Sequence, residues 1–187
     1  MTPRDRIWLV RHASTAWTGL RWCGRSDPEL APDGVVAAAA LAKTLAVEVP
    51  AGAVVVTSPL HRALATADAI ASAIGASVVI DPDLIEIDFG SVDGLTWDEL
   101  AAAHAAVATA ILAGDEPDWP DGERAVDVAR RARAAATRIV DLARSGAVVV
   151  VSHGGLLRAL AVALGGDGAH LAPASATRLE PIPIPIP

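Results

Sequence analysis

Arg11-His12, Ser58 to Arg62, and His153-Gly154-Gly155 each follow a short apolar run, and between the last two lie Glu86 and Asp88. Two guanidinium groups and two imidazoles converging on one point would make a pocket for a dianion, because arginine offers a planar fork matched to phosphate oxygens. A neutral imidazole there can take a phosphoryl group on nitrogen and pass it to water. Charge spread over the equatorial oxygens in the transition state would be met by fixed positive donors. A carboxylic acid beside the leaving oxygen supplies the proton, provided burial or neighbours raise its pKa. Glu86 and Asp88 compete for that role: on an extended segment side chains two apart share a face, so spacing does not choose. No Walker, EF-hand or HExxH pattern is present. Metal-free phosphoryl transfer through histidine is the chemistry this inventory fits best.

The elements that must position these groups alternate. Ile7 to Val10 reads as a buried strand, and Asp33 to about Val49 carries alanines and leucines at helical spacing. Ala53 to Thr57 is continuous and β-branched, as a strand buried on both faces should be. Ser58-Pro59 reads as an N-cap and first-turn proline of a helix stopped by Gly75. Ser77 to Ile80 is a third strand, and Thr96-Trp97-Asp98-Glu99 is a capping box opening a helix through about Ala113. A Pro/Asp/Gly loop from Gly114 to Gly122 precedes a long Ala/Arg helix, about Glu123 to Arg144. Ala147 to Ser152 is the fourth strand, Gly155 to Leu164 a helix, and Ala176 to Leu179 a candidate last strand. The pattern predicts an α/β fold of three layers, a mostly parallel sheet with helices on both faces. In such sheets ligands bind beyond the carboxyl ends of the strands, where the reactive residues fall.

The chain has 187 residues, enough for one domain burying roughly 70% of its unfolded surface. Residues 1–180 read as that domain, and Pro181 to Pro187, alternating Pro and Ile, as a polyproline-like tail. Lys and Arg number 15 against 22 Asp and Glu, a net charge of −7, which disfavours nucleic acid. Lys43 is the only lysine, and the Ala/Arg-rich composition is most simply codon bias. Every apolar run is too short to span a membrane. The single cysteine, Cys23, excludes a disulfide framework and a cysteine-based metal cage. It fits a cytoplasmic location, as does an N-terminus unlike a signal peptide.

Six blocks in order resemble the histidine phosphatase superfamily, the fold shared with cofactor-dependent phosphoglycerate mutase. LVRHASTAW (Leu9 to Trp17) is similar to its "RHG" signature, and GRSDPELAPDG from Gly24 to the segment beyond it. TSPLHRALATADAI is similar to its second-arginine helix, LIEIDFGSVDGLTW to its acid motif, and VVVVSHGG to its second-histidine motif. PDGERAVDVARR is similar to the stretch before the last helix–strand unit. The resemblance implies a phosphohistidine on His12, with Arg11, Arg62 and His153 completing the phosphate pocket and Glu86 donating the proton. It places Thr18 where many members have a phosphate-contacting Asn, Arg21 where many have a loop arginine, and the Gly154 amide toward the phosphate. The compact length and acid block are similar to α-ribazole phosphatase-like and broad-specificity members.

Ala13 stands for the signature glycine, and would clash if that position needed positive φ. Ser14 replaces the usual Glu or Gln, and Val92-Asp93 a frequent Trp-Glu. Trp22, Cys23, Arg21 and His61 are candidate substrate walls, His61 with a surface position as its rival. His104 and His170 read as structural, and Arg130, Arg131 and Arg133 as a solvated helix face. The loop after Arg11, the helix from Thr96 and the loop Gly114 to Gly122, with Asp115, Glu116, Asp118 and Asp121, are expected to form a cap. The leading function is a phosphomonoesterase acting on a small phosphorylated metabolite, without cofactor, metal, nucleic acid or membrane, a homodimer left open. The rivals are a phosphoglycerate-type mutase, disfavoured by the short gap from Glu86 to His153, and a silent phosphate- or phosphopeptide-binding module.

Overall fold

The computed structural model describes residues 3–115, 117–168 and 170–179. The Pro/Ile tail and Glu116 therefore lie outside the described residues. Five strands form one sheet: β1 (Ile7–Arg11), β2 (Val54–Thr57), β3 (Ser77–Ile80), β4 (Val148–Ser152) and β5 (Ala176–Arg178). Their order is β3-β2-β4-β1-β5. The first four are mutually parallel, and β5 closes the edge antiparallel to β1.

Alternation along the strands divides the core in two. Ile7, Leu9, Val56, Val148 and Val150 face a cluster built with the helices α5 (Ala125–Ser145) and α6 (Gly154–Ala163). Trp8, Val10, Val55, Val149 and Val151 face the opposite cluster, with α1 (Pro32–Glu48) and α2 (His61–Ile74). All four valines of β4 are fully buried, which is why that strand is an unbroken apolar run. Each such side chain contributes about 1.5–3 kcal/mol relative to exposure. No described helix is long and apolar enough to cross a membrane.

Three local expectations need correction. The helix after β2 begins at His61 with Leu60 as its N-cap, not at Ser58-Pro59. The Ser58 hydroxyl accepts from the Leu60 amide at 3.3 Å and turns the chain before the helix starts. The helix from Thr96 has the expected capping box but breaks at His104 into α3 (Trp97–Ala103) and α4 (Ala105–Ala113). Leu100 on one side and Val107 and Ala108 on the other are buried, whereas the alanines flanking His104 are exposed, so no packing holds the junction helical. Arg131 is not solvated: its guanidinium grips Glu123 at 2.7 and 2.9 Å and donates to the carbonyls of Asp83 and Ile85. Helical spacing reported its face but not the segment packed there.

Candidate active site

Strand register assembles the site. Arg11 of β1 lies opposite Ser152 of β4, and the next residue on each strand is a histidine. The His12 amide donates to the Ser152 carbonyl at 3.0 Å, and the two imidazole centroids are 5.0 Å apart. On the other side of β4, the Ser58 amide donates to the Val151 carbonyl at 3.0 Å, bringing the end of β2 level with the histidines.

His12 is buried, and its Nδ1 lies 2.7 Å from the Ala13 carbonyl. A carbonyl only accepts, so Nδ1 carries the hydrogen and Nε2 the lone pair. Burial, then the charge of Arg62, pushes the imidazole pKa down to about 3, so it is neutral at ordinary pH. Arg62 Nε donates toward Nε2 at 3.3 Å, while its Nη1 and Nη2 donate to the carbonyls of Ser26 and Gly24 at 2.7 and 2.8 Å. The guanidinium is thus a fixed, fully buried charge on the lone-pair side of the nucleophilic nitrogen. Ala13 is not among the positive-φ residues, so the missing signature glycine leaves no backbone strain. Its amide is held by the Thr66 hydroxyl at 3.1 Å.

His153 is fully buried, with Nε2 2.7 Å from Ser58 Oγ. That hydroxyl accepts from Leu60 with one lone pair, and its own hydrogen is satisfied when it donates to Nε2, an assignment that puts the imidazole N–H on Nδ1. His153 Nδ1 and Arg11 Nε are both buried polar atoms with no hydrogen-bond partner in the protein. Unsatisfied buried donors are costly, and two of them at adjacent strand ends are what an oxyanion would satisfy. Burial, then the positive charge of its neighbours, holds His153 well below the usual imidazole range. Gly154 opens α6, where amides lack intrahelical partners, and a Cβ there would lie 3.2 Å from Arg11 Cζ. A Cβ on Gly155 would lie 2.9 Å from Glu86 Oε1. The Gly-Gly pair therefore lets a guanidinium and a carboxyl approach the same helix end.

Glu86 is buried with its oxygens accepting from the amides of Ile87, Leu156 and Gly155 at 2.9, 3.0 and 3.2 Å. Burial raises its pKa above the usual carboxyl range although those amides and Arg62 pull the other way. Asp88, its rival, accepts from the Gly90 amide and lies 3.4 Å from Arg25. Glu86 lines the cavity beside His12, and Asp88 does not.

That cavity is about 460 Å³ and is also lined by Arg11, Thr15, Thr18, Arg21, Trp22 and Cys23. The Thr18 hydroxyl accepts from the Thr15 amide at 2.9 Å, tying the loop after β1 into a turn. Trp97, Ile111, Asp115, Pro117 and Trp119 supply the opposite wall, so the three expected cap segments do meet over the site. His61 does not join them: its side chain is 78% exposed and pairs with Asp27. His170, expected to be structural, lines the cavity, with Nε2 3.0 Å from Arg11 Nη1. It lies 159 residues along the chain from Arg11, and no local pattern announces that contact. Ser58 and Arg131 were also missed as site-builders; the quoted segment around Glu123 contained Arg131's partner, but not the contact between them. Among the described residues no group of three or more His, Cys, Asp or Glu is arranged to hold a metal ion.

A mostly parallel sheet, helices on both faces, brings two imidazoles of depressed pKa, a buried guanidinium and a half-buried one together at its carboxyl edge. This is the arrangement of an α/β fold with its polar groups gathered at one end. The chain belongs to the histidine phosphatase superfamily (branch 1), which it matches over residues 7–181. It is 39% identical over 153 residues to the bifunctional protein Rv2228c of Mycobacterium tuberculosis, covering 81% of this chain but only 42% of that protein. With the glucosyl-3-phosphoglycerate phosphatase of Mycolicibacterium vanbaalenii it shares 36% identity over 171 residues, 86% of this chain and 74% of the relative. The solved native structure of mycobacterial glucosyl-3-phosphoglycerate phosphatase Rv2419c superposes with a TM-score of 0.73 at 33% identity, covering 84% of this chain and 78% of that one.

Proposed function

We propose that this chain is a phosphomonoesterase that hydrolyses a small phosphorylated metabolite through a phosphohistidine on His12. One observation carries the reading: a neutral imidazole whose Nε2 lone pair faces a buried guanidinium, beside two buried nitrogens without a hydrogen-bond partner in the protein, Arg11 Nε and His153 Nδ1. Nε2 attacks phosphorus as the ester oxygen departs, and Glu86, whose pKa burial raises, gives that oxygen its proton. Water then attacks the phosphohistidine with the Glu86 carboxylate as base, releasing phosphate and restoring both groups. Arg11 and Arg62 neutralise the transferring group, which is the work a metal would otherwise do, so turnover is expected to survive chelation. The named activities of relatives 36% and 33% identical, a glucosyl-3-phosphoglycerate phosphatase and a probable phosphoglycerate mutase from Erwinia tasmaniensis, support phosphoryl transfer from a metabolite ester.

The test is an acid-labile, base-stable phosphoryl label mapped to His12 by mass spectrometry, with free phosphate released in the presence of EDTA. His12→Ala should lose the label and at least about 1,000-fold in turnover. Near-normal turnover in that variant, or activity that needs an added divalent ion, would sink the mechanism. Transfer of the label to a second hydroxyl of the substrate, without phosphate release, would make the protein a mutase instead.

A further inference from the structure

We infer that the organic half of the ester is a planar aromatic group, seated against a wall of tryptophans. This rests on the phosphatase reading, because it takes the phosphate to lie at His12 and the leaving oxygen at Glu86. Phe89, Trp22, Trp97 and Trp119 line the same cavity as His12 and Glu86, so an ester held there has aromatic faces beside its organic half. Trp22 is the hub: its ring centroid is 5.7 Å from Phe89, 5.6 Å from Trp119 and 6.5 Å from Trp97. Phe89 and Trp119 are 4.3 Å apart. The hub is fixed by main chain, since the Trp22 amide donates to the Leu95 carbonyl and the Gly94 amide to the Trp22 carbonyl, each at 2.8 Å. Four rings locked in mutual contact offer stacking area at little entropic cost.

The mouth is apolar too, with Leu20 68% and Trp97 38% exposed. Large apolar side chains left in water at the rim of a cavity mark a binding surface. A second cavity of about 500 Å³ continues behind Pro117 and Trp119, so the wall has depth for a fused ring system. Charge on the near rim is mixed: Arg21 donates to the Gly94 carbonyl at 2.7 Å and lies 3.6 Å from Glu99. His170 is held below its ordinary pKa by burial and by Arg11, and Asp115 also lines the cavity.

The probes are two non-hydrolysable phosphonates, 1-naphthylmethylphosphonate and 3-phosphonopropionate. Affinities are read by tryptophan fluorescence and by competition against p-nitrophenyl phosphate hydrolysis. The aromatic probe should bind at least about tenfold more tightly. Trp97→Ala removes the most exposed ring of the wall and should bring the ratio of the two affinities toward one, with Trp97→Phe restoring part of it. Equal affinities, or tighter binding of the carboxylated probe, while p-nitrophenyl phosphate is still hydrolysed, would overturn the aromatic assignment alone. If neither probe binds and no phosphohistidine forms, the phosphatase reading has failed and this inference falls with it.

Discussion

The floor and the wall of the cavity are built by different physics. The floor, His12, His153, Arg62 and Ser58, hangs from the ends of β1, β4 and β2 and from the first turn of α2, and parallel ladder register sets its geometry. Its side chains are almost wholly buried, so burial and fixed charge dictate their protonation. The wall, from the loop after β1 through α3, α4 and the loop before α5, is short helices and turns joined by aromatic contacts. A set of groups held that tightly by sheet register has little room to vary, whereas a wall of loops and short helices can vary without disturbing it.

Glu86 sits on the boundary between the two, and its removal should give the largest separable effect. Glu86→Gln should slow alkyl phosphates about 100- to 10,000-fold, the usual contribution of a positioned acid. The p-nitrophenolate burst from p-nitrophenyl phosphate, whose leaving group departs unaided, should be affected far less, the phosphohistidine forming and then hydrolysing slowly without the Glu86 base. In the native protein the alkaline limb of the rate profile should follow deprotonation of Glu86 from its raised pKa, and the variant should lose that limb for the activated substrate. If Asp88→Asn shows the leaving-group dependence and Glu86→Gln does not, the acid is misassigned and the floor alone stands.

The floor also leaves a thermodynamic mark that the wall cannot. His12 titrates at about 3 in the fold and near 6.5 when free, so between those values the unfolded chain binds a proton that the native chain refuses. Stability is therefore full above about pH 6.5 and falls as pH drops toward 3, by up to about 1.4 kcal/mol per pH unit for each such histidine. His153, depressed by burial, acts in the same direction. Glu86 opposes them, since its raised pKa makes the folded form more stable at low pH and costs stability as pH climbs through it. Urea unfolding at pH 7, 6 and 5 should show a steeper loss in the native protein than in His12→Gln. Parallel slopes would mean that His12 is not held neutral by the fold.

Much of the floor was legible in the sequence because buried parallel strands are continuous valine runs, and whatever follows such a run lands at the sheet's carboxyl edge. Arg11, His12 and His153 fall there with no further information, and Gly75 was legible as a helix stop because it takes positive φ. What stayed hidden depends on partners rather than on pattern. Ser58-Pro59 looks like a helix start whichever neighbour the hydroxyl meets. Glu86 and Asp88 could not be separated because an alternation rule applies to strands, and this stretch is irregular, with Ile87 and Phe89 lining the cavity as well. Arg131 and His170 act on segments 46 to 159 residues away, distances at which helical and strand periods carry no signal.

The smallest effect expected belongs to Ser58, which touches no substrate and acts through His153. Its hydroxyl accepts from the Leu60 amide and donates to Nε2, so it places the hydrogen of His153 on Nδ1, facing away from Ser58. Without it, either ring nitrogen can carry the hydrogen, and molecules holding it on Nε2 present a lone pair to the transferring phosphoryl group. Ser58→Ala should lower kcat about tenfold, the scale of a lost hydrogen bond that orients an active-site imidazole, with less change in KM. A merely structural role would lower stability and leave the tautomer alone. The 15N shifts of His153 should move from the Nδ1–H pattern toward a mixture in Ser58→Ala and return in Ser58→Thr, which keeps the hydroxyl. An unchanged tautomer in Ser58→Ala, with kcat intact, would show that the sheet holds His153 in its working form without help from the end of β2.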